Sequence, residues 1–208
     1  MFKYIIWDFD GTLYDTYPGI VQAFEDALED LGVKEDRENI FKQTKISVRY
    51  ARRYFADKYS LDENSLGKKY YEYGERLDPD IMKPFPHARE ICSHFKRIGG
   101  KNFIYTHRDD GTFKYLKHHD MLDYFDDVIT STYGFVKPSP DGFLHIIEKH
   151  SLEKKDGLGV GDRDLDIIAA ERAGLKTCLV DNDGMPYESR PDFVIGSLEE
   201  LNQILGLK

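Results

Sequence analysis

The chain has 208 residues, 40% of them hydrophobic and 32% charged, which suits a soluble globular protein with one good core, or a core plus a small insert. Its formal net charge of −9 argues against a nucleic-acid or anionic-membrane surface, but not against a small anionic substrate, because a bound divalent ion reverses the local field. Cys92 and Cys178 have no metal-ligand spacing and read as packed thiols, and the first apolar run stops at Asp8, too early for a signal segment or a membrane span, so the cytoplasm is the expected location.

That first run, Lys3–Trp7, predicts a short buried strand and ends in WDFDGTLYD. Burying a charge is costly unless it is paired or binds a metal. In a strand, residues i and i+2 share a face, so Asp8 and Asp10 point the same way while Phe9 packs, and Gly11 turns the chain. No strand pattern interrupts Thr16–Leu77. Pro18 suits a first helical turn, and Val21, Phe24, Leu28 and Leu31 follow at helical spacing up to Gly32. Val48, Ala51, Phe55 and Tyr59 make a second stripe. Ser60 and Glu63 read as a capping box for a third helix running through Tyr70 and Tyr73. A structureless loop of this length would be improbable, so a helical insert with its own small core is expected.

Pro84 and Pro86 mark the return to a strand-and-helix alternation. Predicted strands cover Asn102–Tyr105, Asp127–Thr130, Gly157–Val160 and Lys176–Val180, with Phe193–Ile195 as a possible sixth. Predicted helices cover Glu90–Arg97, Asp141–His150, Arg163–Ala173 (stopped by Gly174) and Ser197–Leu205, where Ser197 and Glu200 form a capping-box pattern. The alternation predicts an α/β fold: a doubly wound, Rossmann-like parallel sheet covered on both faces, with an inserted all-helical domain. The expected boundaries are residues 1–15 and 83–208 for the α/β core and 16–82 for the insert.

A parallel α/β sheet binds its ligands at the carboxyl ends of its strands. Asp8 and Asp10 follow the first strand, Thr106 the second, Lys137 the third and Asp162 the fourth. Carboxylates suit magnesium, and a hydroxyl with a point-charge ammonium suits phosphate. Taken alone, D-x-D-G is also a common acidic loop, and a lone Lys137 would be an ordinary surface lysine.

Four patterns in order, D-F-D-G-T at 8–12, strand-then-Thr at 106, K-P-x-P at 137–140 and G-D-R-x-x-D at 161–166, frame the whole chain. They make it resemble the haloacid dehalogenase superfamily, in its phosphatase branch with a helical cap, similar to phosphoglycolate phosphatases and β-phosphoglucomutases. The resemblance implies that Asp8 attacks phosphorus to form an aspartyl-phosphate. It implies that Asp10 protonates the leaving alkoxide and later activates water, and that Thr106 and Lys137 bind the phosphoryl oxygens. Mg2+ would be held by Asp8, the Asp10 carbonyl and Asp162. Asp166 would support those ligands or reach the metal through water; read from the residues, it is equally a first-turn acid favoured by the helix dipole. Asp164 reads as solvated, and Thr12 as a partner for Asp10 or a turn residue.

Two features depart from the family's common pattern. His107-Arg108 follows Thr106 where Asn is frequent; both read as exposed loop residues, with His107 a candidate substrate contact. Lys45, Arg49, Arg52 and Arg53 lie close together on what reads as one helix face. Such a face is usually solvated, yet by the resemblance a closing cap would place Lys45 or Arg49 on the substrate. The favoured function is a Mg-dependent phosphohydrolase acting on a small phosphorylated metabolite, with no nucleic-acid or membrane partner, as a monomer or small homo-oligomer. The alternatives are a phosphosugar mutase and, in another class, a receiver-like signalling module or a catalytically silent interaction protein.

Overall fold

The N-terminal apolar run forms β1 (Tyr4–Trp7), all four residues buried. In the computed structural model, which describes residues 1–207, β2 (Tyr14–Asp15) follows, and then four helices: α1 (Tyr17–Asp30), α2 (Arg37–Ile46), α3 (Val48–Tyr59) and α4 (Glu63–Arg76). The chain then passes through β3 (Lys83–Pro84), α5 (Ala88–Arg97), β4 (Lys101–Tyr105), α6 (Thr112–His118), β5 (Asp127–Ile129), α7 (Asp141–Lys149), β6 (Gly157–Gly161), α8 (Asp164–Ala173), β7 (Lys176–Val180), β8 (Phe193–Ile195) and α9 (Leu201–Leu205). Two compact units result: Met1–Asp15 with the segment from Pro84 onward, and Thr16–Lys83.

The first unit is built on a six-stranded sheet of order β5-β4-β1-β6-β7-β8. Every recorded pairing within it is parallel, so the α/β expectation is met. The registers Tyr4↔Lys101 and Tyr4↔Gly157 place β1 between β4 and β6. Strands buried on both faces read as continuous apolar runs rather than alternating ones, which is why these short segments are recognisable. Tyr4, Ile6, Phe103, Tyr105 and Ile129 form one core with Phe143, Ile146 and Ile147 of α7 and Ala169, Ala170 and Ala173 of α8. Each large apolar side chain buried this way contributes about 1.5–3 kcal/mol. On the opposite face the Trp7 indole donates to Asn102 Oδ1 at 3.1 Å, and Asn102 Nδ2 donates to the Cys92 carbonyl of α5 at 2.9 Å. This buried amide therefore ties sheet to helix without leaving a polar group unsatisfied. Both cysteines are free and buried.

The β6 sequence GLGVG permits close packing of α8. A Cβ at Gly159 would lie 2.5 Å from Ala170 Cβ, and one at Gly161 would lie 2.3 Å from Asp166 Cβ. Two bare backbone positions on one strand face thus bring the start of α8 against the strand end.

The second unit is all-helical. Phe24 of α1 packs on Tyr70 of α4 at 4.4 Å and on Phe55 of α3 at 6.1 Å between ring centroids. Ion pairs run around it, including Lys58–Glu35 at 2.6 Å and Arg52–Glu63 at 3.2 Å. Three details correct the sequence reading. A helix, α2, fills residues 37–46, capped by Asp36 accepting from the Asn39 N–H at 3.1 Å. Lys45 and Arg49 are not on one helix, because Ser47, with φ −174° and ψ 154°, ends α2 and caps α3. Ser60 closes α3 at φ 54° instead of opening α4, whose cap is Asp62 accepting from Ser65 at 2.7 Å. Among the described residues, no helix is long and apolar enough to cross a membrane.

Candidate active site

Asp8 is the first residue beyond β1, and its N–H still donates to the Val160 carbonyl of β6 at 2.8 Å. The strand ladder therefore fixes its backbone. The chain then folds back: the Phe9 carbonyl accepts N–H groups from Thr12, Leu13 and Tyr14, around Gly11 at φ 76°. That left-handed conformation suits glycine and few other residues. Phe9 itself is fully buried and stacks on Tyr14 at 4.3 Å. Thr106 follows β4 and Asp162 follows β6, and both are buried.

The end of β1 and the first turn of α8 meet around one ammonium. Lys137 Nζ lies 2.7 Å from Asp8 Oδ1 and 2.7 Å from Asp166 Oδ1. The three side chains are 0%, 1% and 2% exposed respectively. Carboxylate oxygens of Asp8, Asp162 and Asp166 all lie within 4.8 Å of one another. Arg163 approaches them from the side, 3.9 Å from Asp8, 3.8 Å from Asp162 and 3.6 Å from Asp166. The Arg163 N–H donates to Asp166 Oδ2 at 3.2 Å, closing the first turn of α8. Thr12, read as a partner for Asp10 or a turn residue, lies in the turn after Asp10, and its hydroxyl donates to Asp162 Oδ1 at 3.3 Å.

The electrostatics separate the acids. Burial pushes the Asp8 carboxyl up to about 7 against the pull of Lys137, with Asp166 and Asp162 adding to the rise. Burial also opposes ionisation of Asp166, but Lys137 and Arg163 outweigh it and hold that carboxyl below its usual range. Lys137 is disfavoured by burial yet kept charged by Asp166 and Asp8. Three acids thus face two cations, and Asp8 Oδ2 is buried with no hydrogen-bond partner among the described residues. A buried anionic oxygen without a donor, beside two further carboxylates, fits a hard divalent cation such as magnesium.

Asp10 and Thr106 belong to a second cluster. Arg108 places Nε at 2.9 Å and Nη2 at 2.7 Å from Asp10 Oδ1, and its own N–H donates to Thr106 Oγ at 3.1 Å. Reading Arg108 as an exposed loop residue was wrong: its side chain is 15% exposed, because a guanidinium gains from a neighbouring carboxylate and from aromatic faces. His107 is not an exposed loop residue either. Its Nε2 accepts the Lys137 backbone N–H at 2.8 Å. Burial, followed by Lys137 and Arg163, pushes its imidazole down to about 4. Asp164, read as solvated, accepts N–H groups from Glu188 and Ser189 at 2.9 and 2.8 Å.

Lys45 and Arg49 lie in the helical unit. Lys45 is buried, with its ammonium 4.9 Å from the Tyr17 ring centroid, and Arg49 is exposed. Arg163 was missed by the sequence reading, although its position amid Asp162, Asp164 and Asp166 marks an arginine surrounded by acids.

The haloacid dehalogenase-like hydrolase family matches residues 5–180 of the chain. A phosphoglycolate phosphatase of Aquifex aeolicus (strain VF5) is 30% identical over 210 residues, spanning 98% of this chain and 96% of that protein. A phosphoglycolate phosphatase of Vibrio parahaemolyticus serotype O3:K6 is 26% identical over 220 residues, spanning 99% and 96%. Among solved structures, a HAD phosphatase from Thermococcus onnurineus superposes with a TM-score of 0.74 at 27% identity, covering 99% of each chain.

Proposed function

Since this chain belongs to the haloacid dehalogenase-like hydrolase family and is a hydrolase of its phosphatase branch, we propose that it cleaves a small phosphomonoester through an aspartyl-phosphate on Asp8, with Mg2+ as cofactor. The observation that carries the reading is the buried trio of Asp8, Asp162 and Asp166, two of which, Asp8 and Asp166, hold Lys137. Asp8, Asp162 and the Asp10 carbonyl would hold the ion, and Asp166 would hold Lys137 and flank it. When bound, the ion supplies positive charge that favours the ionised Asp8 carboxyl and offsets charge on the phosphoryl oxygens.

In the first step an Asp8 oxygen bonds to phosphorus, the ester P–O bond breaks, and Asp10 gives its proton to the departing alkoxide. In the second, Asp10 takes a proton from water as the water oxygen attacks phosphorus, and the Asp8 carboxylate leaves. Lys137 and Thr106 would bind the phosphoryl oxygens throughout. Lys137 is preorganised for this, since its backbone rests on His107 and its ammonium on two acids. Lys45 and Arg49 are candidates for leaving-group contacts by family resemblance alone. Phosphoglycolate, the substrate named for the relatives at 30% and 26% identity, is the first ester to try.

The test is Mg-dependent phosphate release from an aryl phosphate by wild type, Asp8→Asn and Asp10→Asn. Both variants should lose activity by about 10²-fold or more, and Asp10→Asn should accumulate acid-stable, hydroxylamine-sensitive phosphoenzyme if attack outlasts hydrolysis. Activity surviving in Asp8→Asn would rule out the covalent route.

A further inference from the structure

We propose that Arg163 competes with the divalent ion for the same carboxylates, so that the ion binds by displacing this guanidinium and Arg163 sets its affinity. The inference rests on the reading of Asp8 and Asp162 as ligands of Mg2+. The two cations of the site divide the acids oxygen by oxygen. Lys137 Nζ holds Asp8 Oδ1 and Asp166 Oδ1, each at 2.7 Å. Arg163 faces the other oxygen of each, Asp8 Oδ2 at 3.9 Å and Asp166 Oδ2 at 3.6 Å, and lies 3.8 Å from Asp162 Oδ1. Lys137 thus leaves Asp8 Oδ2 to a second cation, and the guanidinium stands beside it.

The two cations are not held equally. The Lys137 side chain is sealed and at hydrogen-bond distance, whereas the three Arg163 contacts are longer than hydrogen bonds and its side chain is 14% exposed. A long, partly solvated ion pair yields at smaller cost than a short buried one. Asp8 Oδ2 accepts no hydrogen bond among the described residues, so its tie to Arg163 is one of charge alone. Charge balance points the same way. Three ionised carboxylates are neutralised by one ammonium and one divalent ion. A guanidinium kept among them would leave an excess of positive charge in a buried site, where like charges repel most strongly. Turning the side chain out does not undo the start of α8. Asp166 Oδ2 accepts the Arg163 backbone N–H at 3.2 Å, and the Asp166 N–H donates to the Arg163 carbonyl at 3.0 Å, so these main-chain bonds hold while the guanidinium leaves.

Isothermal titration calorimetry of the chelator-treated full chain with magnesium chloride alone reads the affinity without turnover. Arg163→Met should bind Mg2+ about 10-fold tighter or more, because a unit charge a few ångströms from the ion is gone. Arg163→Lys keeps the charge and should stay close to wild type. So should Arg97→Met, which removes an exposed cation at the end of α5 and controls for net charge. A second measurement needs no variant to fold. In wild type, Mg2+ should raise the labelling of Arg163 by phenylglyoxal, mapped by peptide mass spectrometry, as the guanidinium turns toward solvent. Equal or weaker binding by Arg163→Met overturns the proposal, as does equal tightening by Arg97→Met, or labelling of Arg163 that Mg2+ leaves unchanged or lowers. The arginine would then be fixing the acids for the ion and not contesting them. Mg2+ binding by neither wild type nor Arg163→Met sinks the metal reading itself, and this proposal with it.

Discussion

Lys137 is gripped at both ends: two carboxylates hold its ammonium, and the neutral imidazole of His107 accepts its backbone N–H. That second contact makes His107 a source of pH dependence. The unfolded imidazole titrates near 6.5, whereas burial keeps the folded one neutral down to about 4. Between those values the unfolded chain binds more protons, so the His107 contribution is complete above pH 6.5 and drains away as the pH falls toward 4. His107→Asn keeps an acceptor for the Lys137 N–H and removes the titration. Denaturant midpoints at pH 7.5 and 4.5 should show wild type losing more stability than the variant, by on the order of 2 kcal/mol. Equal losses would mean that His107 does not stay neutral in the fold.

At the scale of elements, the site depends on how closely α8 approaches β6. Gly161 is where a strand becomes a site, because a methyl group there would sit 2.3 Å from Asp166 Cβ. Gly161→Ala should force Asp166 off Lys137, costing about 1–3 kcal/mol of stability and most of the phosphatase activity. Gly159→Ala strains the same helix through Ala170, at 2.5 Å, away from the acids. Its thermal midpoint should fall comparably while more activity survives. If both variants lost activity in proportion to stability, the placement of Asp166 would not be the sensitive quantity. In the helical unit, ends were harder to read than stripes. Ser47, Ser60 and Asp62 are all good capping residues by type, and only the backbone shows that Ser60 ends a helix while Ser47 and Asp62 begin one.

The whole molecule carries a net charge of −9, and acids also outnumber cations inside it, where the buried Asp8, Asp162 and Asp166 lie with Lys137 and Arg163. A divalent ion that binds the folded chain and not the unfolded one stabilises it by mass action, about 2.7 kcal/mol at a hundredfold excess over Kd. For a chain of this size that is a rise of roughly 5–10 °C in thermal midpoint. Calorimetry with magnesium and with chelator should show the rise in wild type and a much smaller one in Asp162→Asn. A wild-type midpoint indifferent to magnesium would remove the metal from the reading.

The strands and the polar residues that follow them were legible without coordinates, because buried parallel strands are written as short apolar runs; the order of the strands in the sheet was not. Asp8, Thr106 and Asp162 are visible for that reason, whereas Lys137 lies in the loop beyond β5 and shows only in the K-P-x-P pattern. Which partner each charge takes was not legible. Lys137 reaches Asp8 across 129 positions and Arg108 reaches Asp10 across 98, while periodicity and capping report only on neighbours within a turn or two. Ion pairing acts through space: it is settled once β4, β1 and β6 lie side by side and burial removes the water that would otherwise satisfy each charge alone. The linear chain therefore determined which groups were available, and the packed sheet decided which of them met.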